Sequence, residues 1–303
     1  MTLEKRERRL RRRSKQIIMK KRLGLLALLF FVLFLIFSFV KSNFSFKVTK
    51  YKISSYEIPN AFNGFKIAQI SDLHAGVFGE NQEKIVKKLE EEKVNIVVFT
   101  GDLISRNSSN LEKFAKSLEE IIKTYPSYYI PGNHELMREG NKEYKDFLAL
   151  LEKEGMIMLG NKTYPLYRRG AFIQISGLDE GLSFYEVKAD KNHIPVESLI
   201  TAPDERVFSM LLAHNPLYFN SYVNWGADLV LAGHVHGGVI RLPLIGGILS
   251  PEVGLFPKYD KGLYTSGHQN MIVSVGMGDS FPGFRLFNQK ELVIVELESQ
   301  SIH

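Results

Sequence analysis

The sequence predicts an α/β fold in which two β-sheets pack face to face between helices, preceded by a single membrane-spanning helix. Three observations support this prediction. Short β-rich runs alternate with amphipathic stretches from residue 65 onward, metal-ligand residue types follow several of these runs, and an 18-residue apolar segment lies near the start. A chain of 303 residues is long enough for one catalytic domain with an appendage.

Residues 1–22 form a basic arm that we expect to lie in the cytoplasm. The arm holds 11 Lys and Arg residues against two acids, which leaves 28 basic and 31 acidic residues from Leu23 onward. The arm therefore accounts for the net charge of +6, because the rest of the chain is net acidic. Phosphate-rich polymers are normally bound by a basic face, so we expect no nucleic-acid partner.

Residues 23–40 are predicted to be a transmembrane signal anchor. This run contains no charged residue and covers roughly 27 Å as a helix, close to the thickness of a thin hydrocarbon core. A buried core helix and a cleaved signal peptide are the alternatives. The basic arm disfavours the first, and the poor cleavage site at residues 39–42 disfavours the second. The positive-inside tendency then predicts a single-pass protein of the cell membrane with an extracytoplasmic catalytic domain.

Residues 41–64 are predicted to be a juxtamembrane segment, and residues 65–303 to be the catalytic domain. In this domain the hydrophobic pattern predicts strands and helices that alternate, as in βαβ units. The predicted strands are 66–71, 94–100, 127–130, 171–176, 207–213, 228–232, 271–275 and 291–298. The predicted helices are 80–92, 110–123 and 142–154.

Five short motifs place metal-type ligands at the ends of predicted strands. In chain order they are SDLH (71–74), TGD (100–102), PGNHE (131–135), AHNP (213–216) and AGHVHGG (232–238). Side chains just past the carboxyl ends of strands converge on one edge of an open α/β sheet, so distant motifs can meet there. A single Asp would more often cap a helix, but five of the eight histidines fall in these motifs. The set predicts a pair of divalent metals held by N and O donors, since the chain has no cysteine.

These motifs occur in the order found in the calcineurin-like metallophosphoesterase superfamily, which the chain resembles from about Lys66 to Glu298. The segments GGVIRLPLIGG, RLFN and ELVIVEL resemble the membrane-anchored bacterial branch, which includes enzymes similar to UDP-2,3-diacylglucosamine pyrophosphohydrolases. The resemblance implies a metallophosphoesterase-like αββα sandwich with a dinuclear metal centre.

The resemblance also implies seven metal ligands. One metal would be held by Asp72, His74 and His236, and the other by Asn133, His214 and His234, with Asp102 bridging the two.

By the same resemblance, His134 is the catalytic residue, which faces the substrate phosphate and does not bind metal. The chain departs from the family pattern after Asp102. Ser105 and Asn107 stand where many relatives have an acid and a glycine, and Val239 stands where relatives often have Gln. The departure leaves Arg106, which does match the family, without an assigned role.

The predicted activity is hydrolysis of a phosphoester or pyrophosphate bond by a metal-bridging hydroxide that attacks phosphorus in line. The donors fit Mn²⁺, Zn²⁺ or Fe, and a phosphorylated small molecule or lipid is the expected substrate. Residues 239–257 are apolar and follow the histidine pair, so they are interpreted either as a lipid-contacting lip or as a loop that covers the core. The alternatives are a catalytically silent metal-binding or regulatory module on the same fold, and a metal-dependent nuclease.

Overall fold

The computed structural model describes residues 3–186, 193–242, 245–250, 254–279 and 283–300. Within these ranges the helices, short 3₁₀ turns aside, are α1 (Leu3–Phe44), α2 (Glu83–Glu92), α3 (Leu111–Thr124), α4 (Asn133–Leu136), α5 (Lys142–Lys153), α6 (Val196–Leu199) and α7 (Phe219–Trp225). The longer strands are β1 (Phe46–Ser55), β2 (Phe65–Ile70), β3 (Ile96–Thr100), β4 (Ser127–Ile130), β6 (Lys162–Arg168), β7 (Ala171–Gly177), β8 (Ser209–Leu212), β9 (Leu229–Ala232), β14 (Gly262–Ser266), β15 (Gln269–Val273) and β16 (Lys290–Ser299). Two-residue strands are β5 (Ile157–Met158), β10 (Arg241–Leu242), β11 (Gly246–Gly247), β12 (Leu249–Ser250) and β13 (Gly254–Leu255).

Two six-stranded sheets form the centre of the domain. Sheet A has the order β1-β16-β2-β3-β4-β5, and sheet B has the order β14-β15-β9-β8-β7-β6. The strands β2, β3 and β4 run parallel in sheet A, as do β7, β8, β9 and β15 in sheet B. Parallel neighbours end at the same edge of a sheet, so the loops that follow them are brought together.

Apolar side chains that alternate along the strands hold the layers together. In β2, Ile67 faces the layer between the two sheets and Ala68 faces the helices, because successive strand residues point to opposite faces. The layer between the sheets joins residues such as Ile67 and Val98 of sheet A to Ile175 of sheet B. Helices α2, α3 and α5 cover the outer face of sheet A, and α6 and α7 cover that of sheet B. The predicted two-sheet sandwich flanked by helices is therefore confirmed.

The segment that follows the apolar run contributes a strand to sheet A. The stretch 41–64, which the sequence assigns to a juxtamembrane segment, contains β1, which pairs in parallel with β16 over ten residues. This strand lies at the edge of the sheet, and Lys50, Lys52 and Ser54 make one of its faces exposed over the second half of the strand, whereas Tyr51 and Ile53 point inward. The helix before it, α1, is long and apolar enough to cross a membrane, judged by its length and composition.

The last turns of α1 contact the loop that leads into β16. Ser38 Oγ accepts a hydrogen bond from the backbone N–H of Phe287 at 3.2 Å. Asn43 makes two hydrogen bonds with the backbone of Arg285, one through each of its amide atoms, both at 2.8 Å. The rings of Phe34 and Phe287 lie 5.5 Å apart between centroids. The end of α1 is thus packed into the domain.

Candidate metal centre

The carboxyl ends of the central strands of both sheets meet at one edge of the sandwich. Gln69, at the end of β2, donates hydrogen bonds to Thr100 Oγ1 at 3.0 Å and to the carbonyl of Ala232 at 2.9 Å. His214 Nδ1, past the end of β8, lies 2.7 Å from the carbonyl oxygen of Thr100. These buried contacts join the two sheets where the ligand-type motifs begin, so residues more than 160 positions apart become neighbours.

Four of the predicted ligands form one compact cluster. Asp72, His74, Asp102 and His236 each place a donor atom within 4.8 Å of the donor atoms of the other three. His74 Nε2 lies 3.2 Å from His236 Nε2 and 3.8 Å from Asp102 Oδ2, and His236 Nε2 lies 3.5 Å from Asp72 Oδ1. Imidazole nitrogens that converge with carboxylate oxygens in this way are a donor set for a divalent transition metal.

The other three predicted ligands adjoin this cluster. His234 Nδ1 lies 2.9 Å from Asn133 Oδ1, and His214 Nε2 lies 3.4 Å from Asp102 Oδ2. Nε2 of His214 is buried and has no hydrogen-bond partner among the described residues. Because buried polar atoms are normally satisfied, a buried nitrogen left over in such a cluster fits the donor set of a second metal.

The backbone around the ligands is locally strained. Asp72, His74, Asp102, His234 and His236 all have positive φ angles, between 49° and 70°. Non-glycine residues rarely adopt this left-handed conformation, which costs on the order of 1–3 kcal/mol each and persists where the surrounding structure enforces it. The strained conformation lowers the local stability of these loops and orients the five side chains toward the same site.

The charges of the cluster are those that a divalent cation would balance. Burial alone would raise the pKa of Asp102, but the charges of His214 and His74 lower it well below its usual range. Burial would lower the pKa of His214, whereas the Asp102 carboxylate raises it to about 10. Burial lowers the pKa of His74 to about 4. Asp102 is thus anionic and His74 neutral near pH 7, which are the forms in which a carboxylate and an imidazole bind a cation.

His134 lies beside the cluster, half-buried. Its ring is 4.8 Å from the ring of His74 in an edge-on contact, and its backbone N–H donates to Asp102 Oδ1 at 3.0 Å. The backbone N–H of Arg106 donates to His134 Nδ1 at 3.0 Å. Because Nδ1 is the acceptor in this bond, the proton of a neutral His134 imidazole is on Nε2. The contact from Arg106 is made by its backbone and does not depend on its side chain.

Ser105, at a position where the family often has an acid, contacts a ligand. Its hydroxyl oxygen lies 3.1 Å from His74 Nδ1. A hydrogen bond to the second ring nitrogen fixes the orientation of a metal-binding histidine. The substitution at this position therefore keeps a hydrogen-bonding partner for His74.

Glu135 has a role that the sequence did not reveal, although it ends the PGNHE motif. Its buried carboxylate accepts hydrogen bonds from the backbone N–H groups of Asp102, Ile104 and Gly132, each at 2.9 Å. Burial and the nearby Asp102 carboxylate raise the pKa of Glu135 to about 8. The side chain fastens the TGD loop to the PGNHE loop, which keeps Asp102 beside His134.

Arg285 supports His236 from the side opposite to the cluster. The arginine is 3% exposed, and its guanidinium donates to the carbonyls of Val275 and Gly278 at 2.7 Å each. Nη2 of Arg285 lies 3.4 Å from His236 Nδ1, and the amide of Asn288 donates to the carbonyl of His236 at 2.6 Å. Arg285 and Asn288 belong to the RLFN segment, to which the sequence assigned no role beyond its resemblance to the family. This segment thus supports the loop that carries His236.

Gly101 allows the close approach of the loops, and its replacement by Ala should destabilise the fold. A Cβ atom there would lie 2.5 Å from His214 Nδ1 and 2.8 Å from the backbone N of Gly132, and φ at Gly101 is +87°. We expect Gly101→Ala to lower the free energy of unfolding by about 2–4 kcal/mol, measured by thermal or urea denaturation. Gly140→Ala is the matched control, because a Cβ there meets nothing within 4 Å. Equal stability of the two variants would contradict this account.

Sequence comparison gives the family independently of the geometry. The calcineurin-like phosphoesterase family matches residues 65–238, which span β2 to the glycines after His236. The chain is 33% identical over 281 residues to a metallophosphoesterase of Campylobacter jejuni, a match that covers 91% of this chain and 70% of the relative. It is 28% identical over 258 residues to the metallophosphoesterase YkuE of Bacillus subtilis, covering 84% of this chain and 86% of the relative.

One further relative is named as a transmembrane protein. The transmembrane protein with metallophosphoesterase domain of Danio rerio is 26% identical over 261 residues, which are 83% of this chain and 57% of the fish protein. The strand-end loops that gather Asp72, His74, Asp102 and His236 all fall inside the matched family region. The chain therefore belongs to the calcineurin-like metallophosphoesterase family.

Proposed function

We propose that this protein is a membrane-anchored phosphohydrolase that cleaves a phosphoester or pyrophosphate bond with the help of two divalent metal ions. The observation that carries the proposal is the buried convergence of Asp72, His74, Asp102 and His236. One metal would be held by Asp72, His74 and His236, and the other by Asn133, His214 and His234, with Asp102 between them. A catalytically silent module is disfavoured because no position of this ligand set is lost.

The bound metals would supply a hydroxide for in-line attack on phosphorus and would neutralise the phosphoryl oxygens. The protein itself provides a hydrogen-bond donor for the leaving oxygen. Nε2–H of His134 is that donor, since Nδ1 accepts from the Arg106 N–H, and water supplies the proton that the leaving oxygen finally takes. The hydrogen bond from the His134 backbone to Asp102 keeps this donor beside the ligand cluster.

A lipid-linked phosphate is the substrate class that the surroundings of the site support best. Four large apolar side chains after the histidine pair are exposed, namely Ile245 (60%), Leu249 (42%), Leu255 (68%) and Phe256 (61%). Val239 N–H donates to the carbonyl of Leu249 at 2.8 Å, so this apolar lip begins beside the His236 loop. Exposed apolar side chains next to a membrane-anchored site are suited to acyl chains. Residues 243–244 and 251–253 of the predicted stretch lie outside the described residues.

An activity panel on the full-length protein in detergent tests both parts of the proposal. The protein is stripped with a chelator, Mn²⁺, Zn²⁺ or Mg²⁺ is added back, and a soluble phosphodiester is compared with a lipid-linked one. We expect no turnover without metal and a rate on the lipid-linked substrate at least tenfold above that on the soluble one. The double variant Ile245→Ser/Phe256→Ser should lose this preference yet keep the soluble rate, whereas Tyr167→Ser, which removes another exposed aromatic, should change neither. Equal wild-type rates on both substrates would refute the lipid assignment.

We also propose that the catalytic domain lies outside the cytoplasm, because the basic arm precedes the apolar run. The chain has no cysteine, so single cysteines introduced at Ser14 and Ser109 can be labelled without background. In intact cells an impermeant maleimide should label the second and not the first. Labelling of the first cysteine and not the second would show that the catalytic domain lies in the cytoplasm.

A further inference from the structure

A cavity of about 490 Å³ lies between the end of α1 and the domain, and none of the predicted metal ligands lines it. We call it the junction cavity. Its lining has an apolar part and a cationic part. The apolar part consists of Phe34, Phe37 and Phe287, and the cationic part consists of Lys41, Lys47, Arg241 and Lys261. Ser38, Ser42, Asn288 and Gln289 complete the lining, which among the described residues includes no Asp or Glu.

The cations of the junction cavity exceed the acids that contact them. Lys261 Nζ lies 2.9 Å and Lys47 Nζ 3.9 Å from the same oxygen of Glu291, so one buried carboxylate faces two ammonium groups. Arg241 pairs with Asp260 at 2.8 Å. These three cations thus keep one positive charge in excess over their two acids.

Lys41 adds another positive charge at the boundary of the apolar run. It directly follows residues 23–40, and its Nζ lies 5.9 Å from the centre of the Phe37 ring. The cavity is therefore net positive, although the chain from Leu23 onward is net acidic. An anion is the complementary ligand.

The position of the cavity along α1 indicates which kind of anion would fit it. Phe34 precedes Val40 by six residues, which is roughly 9 Å along a helix, so the apolar wall lies at the depth of acyl chains if residues 23–40 span the bilayer. Lys41 and Lys47 then lie at the level of the phosphates. A soluble anion would use only the cationic part, whereas a phospholipid would use both.

A second cavity near the end of α1 also combines apolar and cationic lining residues. This cavity, of about 550 Å³, joins apolar residues near the end of α1 to a cationic group that outnumbers its acids. Its charged lining residues are Lys84, Lys87, Lys88, Lys290, Glu91 and Asp279. The exposed Phe44 and Val77 lie at its apolar side. This side of the domain is thus basic and apolar together, as a surface that rests on an anionic bilayer would be.

We propose that the junction cavity binds the head group of an anionic phospholipid, with an acyl chain against Phe34 and Phe37. This inference rests on the proposed membrane anchoring and not on the proposed hydrolysis. Asn288 lines the cavity and also donates to the carbonyl of His236, so the bound lipid would hold the domain at a fixed height above the membrane close to the loop that carries His236.

Native mass spectrometry of the full-length protein tests the proposal, with dioleoylphosphatidylglycerol and dioleoylphosphatidylcholine as probes. We expect the wild type to retain the anionic lipid at least tenfold better than the zwitterionic one. Lys41→Gln/Lys47→Gln should lower retention of the anionic lipid about tenfold, since each lysine near a membrane surface contributes measurably to binding such lipids. Lys142→Gln/Lys162→Gln removes the same charge from exposed positions that do not line the cavity, and should bind like the wild type.

Several outcomes would overturn the assignment. Unchanged retention in the cavity variant would exclude the site, and an equal loss in both variants would show attraction by overall charge alone. Displacement of the lipid by an equal concentration of glycerophosphoglycerol, its water-soluble head group, would show a site for soluble anions. The rate on a soluble phosphodiester, measured in the same preparations, separates this proposal from the proposed hydrolysis. Extraction of the wild type by alkaline carbonate would refute the anchoring itself.

Discussion

Replacement of Asp102 by Ala is expected to abolish metal binding and to lower kcat by at least about 10³-fold. Asp102 Oδ2 lies 3.4 Å from His214 Nε2 and 3.8 Å from His74 Nε2, so it is the carboxylate shared by the two proposed ligand groups. Its loss would leave His214 and His74 without the carboxylate that faces both of them, since the ligand imidazole beside the other carboxylate, Asp72, is that of His236. Metal content by plasma mass spectrometry and turnover of a soluble phosphodiester measure the two effects.

The control for Asp102→Ala must separate catalysis from folding. Asp102→Asn keeps the shape of the side chain and the acceptor for the His134 N–H, and should fold normally while still losing metal. Asp146→Ala, on the exposed face of α5, should leave metal content and rate unchanged. Full activity with two bound metals in Asp102→Ala would refute the bridging role.

Replacement of His134 by Ala should lower kcat by roughly 10²- to 10³-fold while both metals stay bound. The imidazole is held with Nδ1 on the Arg106 N–H, which leaves Nε2–H free to donate a hydrogen bond to the leaving oxygen as its negative charge develops. The loss should be large for an alkyl or lipid leaving group and small for p-nitrophenol, which departs without protonation. Initial rates on a matched pair of diesters measure this difference.

The leaving-group dependence distinguishes a hydrogen bond to the leaving oxygen from a structural role. His134→Ala should retain the metal content and melting temperature of the wild type, because the bond to Asp102 comes from the backbone of residue 134. Arg106→Ala is the matched variant, since its backbone N–H remains and we expect the tautomer of His134 to be kept. An equal loss of rate on both diesters would show that His134 does not act on the leaving oxygen.

The buried strands were predictable because their residues carry a strong and local signal. The run Ser127–Ile130 was predicted with the bounds that the structure shows, and Val94–Thr100 differs from β3 by two residues at its start. These strands are buried on both faces and consist mostly of apolar or aromatic residues. β1 was not predicted because its Lys residues resemble those of a solvated linker, and its pairing with β16 depends on residues far away in the chain.

The ligand-type residues of the candidate site were predictable because they lie within the five motifs. The residues that hold these loops in place were harder to predict. All seven predicted ligands lie in or beside one cluster, since each follows a strand that ends at the same edge. Glu135 and Arg285 could not be assigned in this way. Their partners are backbone groups of distant loops, and a sequence does not show which buried carboxylate or guanidinium will meet them.

The parallel pairing of β1 with β16 has a consequence for how the protein is made. The paired residues are more than 240 positions apart, and β16 lies between β1 and β2 in sheet A. During synthesis, sheet A therefore has a gap beside β2 until β16 has left the ribosome, and contacts between such distant residues form slowly. The segment that carries Arg285 and Asn288 is made just before β16. The edge of the sandwich that holds the predicted ligands can thus be completed only once this late stretch has left the ribosome.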